Sequence, residues 1–182
     1  MRANFLAWSD FARNERDFGR VVVGVDPPAS AAGTCGIVAC GLDTGGAFHV
    51  LGDHSVAGAS PRGWAEKVMA GALLWGADRI VAEANNGGNM VAETLASGLR
   101  PASQTGRCQP RQGGAGGAGR RLVRDLQGGF AGTFPELEDE LTGLCAGVSY
   151  RGPGRSPDRA DAMVWAMTEL KAPPRAPRVR TL

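Results

Sequence analysis

The chain has 182 residues, 43% hydrophobic and 21% charged, which suits one soluble domain with its own core and excludes a fibrous or low-complexity chain. The formal charge of +2 excludes a uniformly basic surface, so any basic patch must be local. Four cysteines (Cys35, Cys40, Cys108, Cys145) form no CxxC pair, which argues for reduced thiols and against zinc; no apolar run reaches the ~18–20 residues of a bilayer span and no secretory signal is present, so a cytoplasmic protein with no membrane association is expected.

Residues 1–19 are mixed and charged and read as a short helix or linker. The stretch "RVVVGVD", 20–26, is β-branched and unbroken, as a central buried strand should be, and it runs into an aspartate followed by two prolines. A second strand is expected over 34–43 and a third over 47–58, joined by the turn chemistry of "DTGG". Ser60 as N-cap and Pro61 at the first helical position open a helix, with Trp64, Val68, Ala72 and Trp75 at helical spacing. "DRIVAEANNGG", 78–88, is an apolar strand ending at Glu83 with an Asn-Gly turn behind it, and 89–99 fits a helix. A short acidic helix lies within 133–147, and "SPDRADAMVWAMTEL", 156–170, is a helix with Ser156 as N-cap and Pro157 first. The tail, 171–182, is Pro/Arg-rich and is expected to be disordered. Three strands before the first helix predict an α/β fold, a mixed sheet flanked by helices, over 20–170.

Residues 100–130 break this pattern, being crowded with Gly and Arg and lacking periodicity. A structureless loop of about 30 residues is unusual inside a compact domain. Codons compatible with "CQPRQGGAGGAGRRLVRDLQGG", read one base later, can encode "VSRGKAGRAEPVAGLFETFKAG", which has a strand-like start, a basic turn and an amphipathic helix. The segment just before it yields a strand, "HPRPVVV". A pair of compensating frameshifts around 100–130 is therefore an expectation beside the plainer reading of a flexible basic loop, and the coding bases decide between them.

Asp26 and Glu83 each end a predicted strand; if the strands are neighbours, both carboxylates emerge at one sheet edge. Asp161 lies one turn into the last helix, with Asp158 three residues earlier on the same face. Burying several carboxylates together is costly unless cations neutralise them, and oxygen ligands suit Mg²⁺ or Mn²⁺. Two such ions would hold a phosphodiester and activate water. Taken singly, each residue has an ordinary explanation: Asp26 as turn former, Glu83 as strand cap, Asp158 complementing the helix dipole, Asp161 solvated. It is their order, strand-Asp, strand-Glu, helix-Asp, that points to chemistry. His49 and His54, five apart on one predicted strand, would face opposite sides and are read as structural.

"VVVGVDPP", "GDHSVAGASPRGWAEKVM", "GADRIVAEANNGGNMV", "GTFPELEDELTGL" and "SPDRADAMVWAMTEL" together resemble the C-terminal nuclease domain of phage terminase large subunits, most of all those of prophages and gene transfer agents. The resemblance covers 20–99 and 131–170. It implies an RNase H-like fold of the RuvC/integrase type. It further implies a divalent-metal-dependent endonuclease that cuts concatemeric double-stranded DNA during head filling, with portal protein and small terminase subunit as partners. By motif it makes Asp26, Glu83 and Asp161 the metal-binding catalytic residues of a two-metal Mg²⁺ or Mn²⁺ site, with Asp158 auxiliary. Candidate DNA contacts are Arg62, Lys67, Arg155 and Arg159. Residues 100–130 depart from the family's strand, basic "SRGK"-type turn and helix, a pattern that the shifted frame reproduces. No GxxxxGK[ST] phosphate loop is present, so a detached nuclease domain or a gene fragment, without the packaging ATPase, is expected. Two alternatives remain: another RNase H-like enzyme such as a Holliday-junction resolvase or transposase, and a catalytically inactive remnant that only binds DNA or packaging partners.

Overall fold

The structure, a computed structural model, describes residues 18–83, 109–111, 129–145, 150–154 and 156–173. The predicted N-terminal segment up to 17, the helix over 89–99, most of 100–130, Arg155 and the tail from 174 lie outside the described residues.

Strand β1 (Phe18–Asp26) is the centre of the sheet. On one side it pairs antiparallel with β2 (Thr34–Asp43), which pairs antiparallel with β3 (Phe48–Asp53). On the other side it pairs parallel with β5 (Arg79–Glu83), which pairs parallel with β6 (Gln109–Arg111). The order is β3-β2-β1-β5-β6, and the sheet is mixed as expected. The third predicted strand is in fact two. β3 stops at Asp53, and β4 (Val56–Ala57) pairs separately with the start of β2. The break has a local cause: Asp53 Oδ1 accepts from Ser55 N at 2.9 Å, and Ser55 Oγ accepts from Ile37 N, so side chains replace ladder bonds there. His54 thus lies beyond the strand, and the alternation expected to separate it from His49 does not apply to it. β6 lies within 100–130, the stretch read as a flexible basic loop or as frameshifted: the outer side of β5 offers backbone groups, and an extended segment docks there. Its Pro110 has no N–H to donate, which an edge strand tolerates.

Helix α1 (Pro61–Leu74) covers one face of the sheet. Helices α2 (Pro135–Cys145) and α3 (Asp158–Lys171) cover the other. The unbroken apolar character of β1 follows from this three-layer arrangement. Val21, Val23 and Val25 pack with Ile37, Leu51, Ile80, Trp64 and Val68 on the α1 side. Val22 packs with Val38, Val81, Leu141, Met163 and Met167 on the α2–α3 side. Each such fully buried aliphatic side chain contributes roughly 1.5–3 kcal/mol by leaving water. No helix among the described residues is long and apolar enough to cross a membrane.

Candidate active site

The alternation of β1 puts Gly24 and Asp26 on the face that α3 covers. Gly24 is there because α3 lies directly on it: a Cβ at this position would stand 1.9 Å from the Ala162 carbonyl oxygen. Gly36, paired with Asp26 across β1–β2, does the same further along, where a Cβ would meet the Asp158 carbonyl oxygen at 1.9 Å. These two strand glycines let the first turns of α3 sit on the sheet beside Asp26. Isolated glycines in strands are a sequence sign of close backbone approach, and they are the site-building residues that the motif reading passed over.

The parallel pairing of Val25 with Ala82 brings the ends of β1 and β5 side by side, so Asp26 and Glu83 are neighbours, as expected for adjacent strands. Asp26 is 9% exposed. Burial pushes its carboxyl up to about 9, helped by a hydrogen bond with Glu83 and by the negative charges of Asp161, Glu83 and Asp158. A protonated Asp26 has a proton to share with Glu83. Asp161 is pushed up to about 6, again chiefly by burial, with Glu83, Asp158 and Glu140 adding to it. Asp158 is raised by burial, against a lowering contribution from Ser156, whose hydroxyl donates to Asp158 Oδ1 at 2.5 Å. All four expected acidic residues therefore share one sheet edge and sense one another electrostatically.

Such a cluster is the chemistry of a divalent-cation site. Four oxygen donors crowd a poorly solvated edge, and their repulsion is what a hard cation would relieve. Among the described residues, no three acidic, His or Cys side chains stand as a ready-made metal cage. The donor set fits Mg²⁺ or Mn²⁺ by type, with Asp26, Glu83, Asp161 and Asp158 as the residues that would hold it.

The basic residues divide. Arg62 and Lys67 lie on exposed positions of α1, and Arg62 Nε donates to Glu66 Oε1 at 2.8 Å in an exposed pair of little energetic weight. Arg159 pairs within the protein: its guanidinium bonds Asp53 at 3.1 Å and Glu140 at 3.2 Å. The histidines also have structural partners. His49 is buried with Nε2 2.8 Å from Asp43 Oδ2, and its Nδ1 accepts from Gly129 N. His54 accepts from Trp75 Nε1 at 2.9 Å.

Glu140, which sequence reasoning missed, is 4% exposed and stands behind the site. Its Oε2 accepts from the backbone N–H of Arg159 at 2.8 Å and of Ala160 at 3.0 Å. Burial raises its carboxyl, while those two N–H groups and Arg159 pull it back. No local sequence signal marks it, because its partners lie on another helix.

Comparison with known proteins bears on the family and the fold. The sequence profile of a family described as the terminase RNase H-like domain matches residues 23–122, running from β1 through the Gly/Arg-rich stretch. In fold, the chain is similar to the large terminase nuclease from thermophilic phage G20c, at a TM-score of 0.60 and 18% identity, covering 82% of each chain. Weaker likenesses are to T. thermophilus RuvC bound to a Holliday junction substrate (TM-score 0.43, 12% identity, 81% of this chain and 91% of that one) and to the yeast mitochondrial Holliday junction resolvase Ydc2 (0.47, 9%, 90% and 84%). None of the curated proteins compared matches the chain in sequence. The mixed sheet, flanked among the described residues by three helices, is an RNase H-like fold, as the family resemblance implied.

Proposed function

The chain belongs to the terminase RNase H-like domain family, and from that premise we propose that it is a divalent-metal-dependent DNA endonuclease of the packaging type. One observation carries the reading: Asp26, Glu83, Asp161 and Asp158 come from two strand ends and one helix to a single sheet edge, where burial first and mutual repulsion second oppose their ionisation, a cost that a bound divalent cation would offset.

Bound Mg²⁺ or Mn²⁺ would supply Lewis acidity toward a phosphodiester and lower the pKa of a water molecule. The chain's residues do the rest. Asp26, on the rigid central strand, is the fixed donor of the set. Its raised proton affinity means that it gives up a proton when the site is loaded, so loading is favoured by rising pH. Glu83, hydrogen-bonded to Asp26, is its neighbour in the set. Asp161 and Asp158 present carboxylates from one face of α3. Lys67, Arg62 and Arg155 remain the candidates for phosphate contact, so DNA binding should be weakly sequence-dependent and should weaken with salt. The cutting of concatemeric DNA during head filling, and contact with portal protein and small terminase subunit, belong to the same reading.

Nicking of supercoiled plasmid in Mn²⁺ tests it. The chain should convert plasmid to open-circular and linear forms, and both Asp26→Asn and Asp161→Asn should fall below detection while remaining folded by circular dichroism. Equal cleavage by wild type and Asp26→Asn would end the assignment. Silence from folded wild type would make this chain an inactive member of the family.

A further inference from the structure

Helix α3 carries two of the four site carboxylates, yet it does not cap itself. Its N-cap position is Pro157, which makes no side-chain capping bond, and the Ser156 hydroxyl is used on Asp158. Two of the first-turn N–H groups are taken instead by Glu140 of α2, whose Oε2 receives both Arg159 N and Ala160 N. Glu140 Oε1 receives Arg159 Nη1, and Arg159 Nε continues to Asp53 Oδ2 at the end of β3. Three elements, α2, α3 and β3, thus meet on the single turn that holds Asp158 and Asp161.

Glu140 could in principle be a further ligand of the site. Its bonding argues otherwise, since both oxygens already accept hydrogen bonds from the α3 turn and the residue is buried behind it. We propose that Glu140 and Arg159 are positioning residues that set the α3 first turn, and through it Asp158 and Asp161, at the distance from Asp26 and Glu83 that the divalent cation requires. This inference rests on the metal-dependent reading above. Groups that orient ligands in this way typically influence metal affinity 10–100-fold.

The test is Mn²⁺ binding to the full chain, read from the free-ion signal in electron paramagnetic resonance, with plasmid nicking alongside. Wild type, Asp161→Asn, Glu140→Ala, Glu140→Gln and Arg159→Ala are compared. Positioning predicts that Glu140→Ala weakens Mn²⁺ binding about 10-fold or more. Glu140→Gln loses the same charge but keeps an oxygen for Arg159 N and Ala160 N, so it should restore most of the affinity. Arg159→Ala separates position from charge most clearly. Removing a cation beside an acidic site should tighten Mn²⁺ if charge alone matters, and positioning predicts weaker binding. If Glu140→Ala does not fold, Glu140→Gln and Arg159→Ala decide. Wild-type affinity in folded Glu140→Ala, or unchanged or tighter binding in Arg159→Ala, overturns the proposal. Undiminished binding in Asp161→Asn would instead overturn the metal site on which it rests.

Discussion

Helices α1 and α3 both follow a Ser-Pro step, and they begin in different ways. At α1 the step works locally: Ser60 Oγ accepts from Gly63 N at 3.2 Å, and Pro61 takes the first helical position. At α3 the same dipeptide is displaced by one residue. Pro157 becomes the N-cap, Ser156 bonds Asp158, and a buried glutamate from another helix supplies the cap. The outer helix is self-sufficient and ends with Leu73 and Leu74 more than two-thirds exposed to solvent (67% and 69%). The inner one is held by its neighbours. A helix whose start is fixed from outside can have that start placed to suit a site, and α3 is the helix that bears the site's carboxylates.

The contrast predicts unequal tolerance of the two sheet faces. The largest effect should come from Gly24→Ala, where the new Cβ meets the Ala162 carbonyl oxygen, and backbone cannot rotate away. Overpacking of this kind should cost about 3 kcal/mol or more in urea unfolding. Gly71→Ala is the matching change in α1. Its Cβ meets His54 Cδ2 at 2.8 Å, so the imidazole held by Trp75 Nε1 must shift, but it meets a side chain rather than backbone, and the helix gains propensity. It should cost less than Gly24→Ala, about 1–2 kcal/mol, because a side chain and not backbone has to give. Equal losses would show that α1 is seated as rigidly as α3.

A smaller effect separates the faces by pH. Asp26 is raised from 3.8 to about 9 and Asp161 to about 6, so the folded state holds protons that the unfolded chain has released. Unfolding free energy must then fall as pH rises through that window. On the α1 side, His54 is lowered from 6.5 by burial and contributes the opposite slope below that value. The fall should therefore be clearest from pH 7 to 9, as a decline of several degrees in the Tm of chelator-treated protein. Asp26→Asn should remove most of it. Mn²⁺ should reverse it, because the cation competes with the proton and gains as the proton leaves. A flat Tm in wild type across that range would mean that Asp26 is ionised in the folded protein.

Much of this arrangement was readable from the chain, for reasons tied to particular residues. β1 and β5 are short apolar runs with a carboxylate at the end, and parallel neighbours necessarily bring such ends together. The cap of α1 was readable because Ser60 and Gly63 are three residues apart. The cap of α3 was misassigned to Ser156 because the actual acceptor, Glu140, is 19 and 20 residues from its partners and looks like an ordinary acidic helix residue. The charge of Arg159 is legible in the sequence, whereas its two carboxylate partners, Asp53 and Glu140, are set by tertiary packing. The split of β3 from β4 turned on a Ser55 hydroxyl that replaces one ladder bond.

The smallest expected effect is the sharpest control on the comparison. Ser60→Ala removes one side-chain cap from a helix whose start is otherwise solvent-exposed, at a cost of about 1 kcal/mol. It should leave Mn²⁺ affinity and nicking unchanged, since α1 lies on the face opposite the carboxylates and shares no hydrogen bond with the α3 turn among the described residues. Ser156→Ala is its counterpart. There the hydroxyl donates to Asp158 rather than capping the helix, so stability should change less than for Ser60→Ala while Mn²⁺ affinity shifts. The two serines precede the same residue in sequence, and the assay tells them apart: one should move Tm and leave the metal alone, the other should do the reverse. If Ser156→Ala instead behaves like Ser60→Ala, the Ser156 hydroxyl serves the stability of the α3 start rather than the orientation of Asp158, and Glu140 is left as the group that ties this turn to the site.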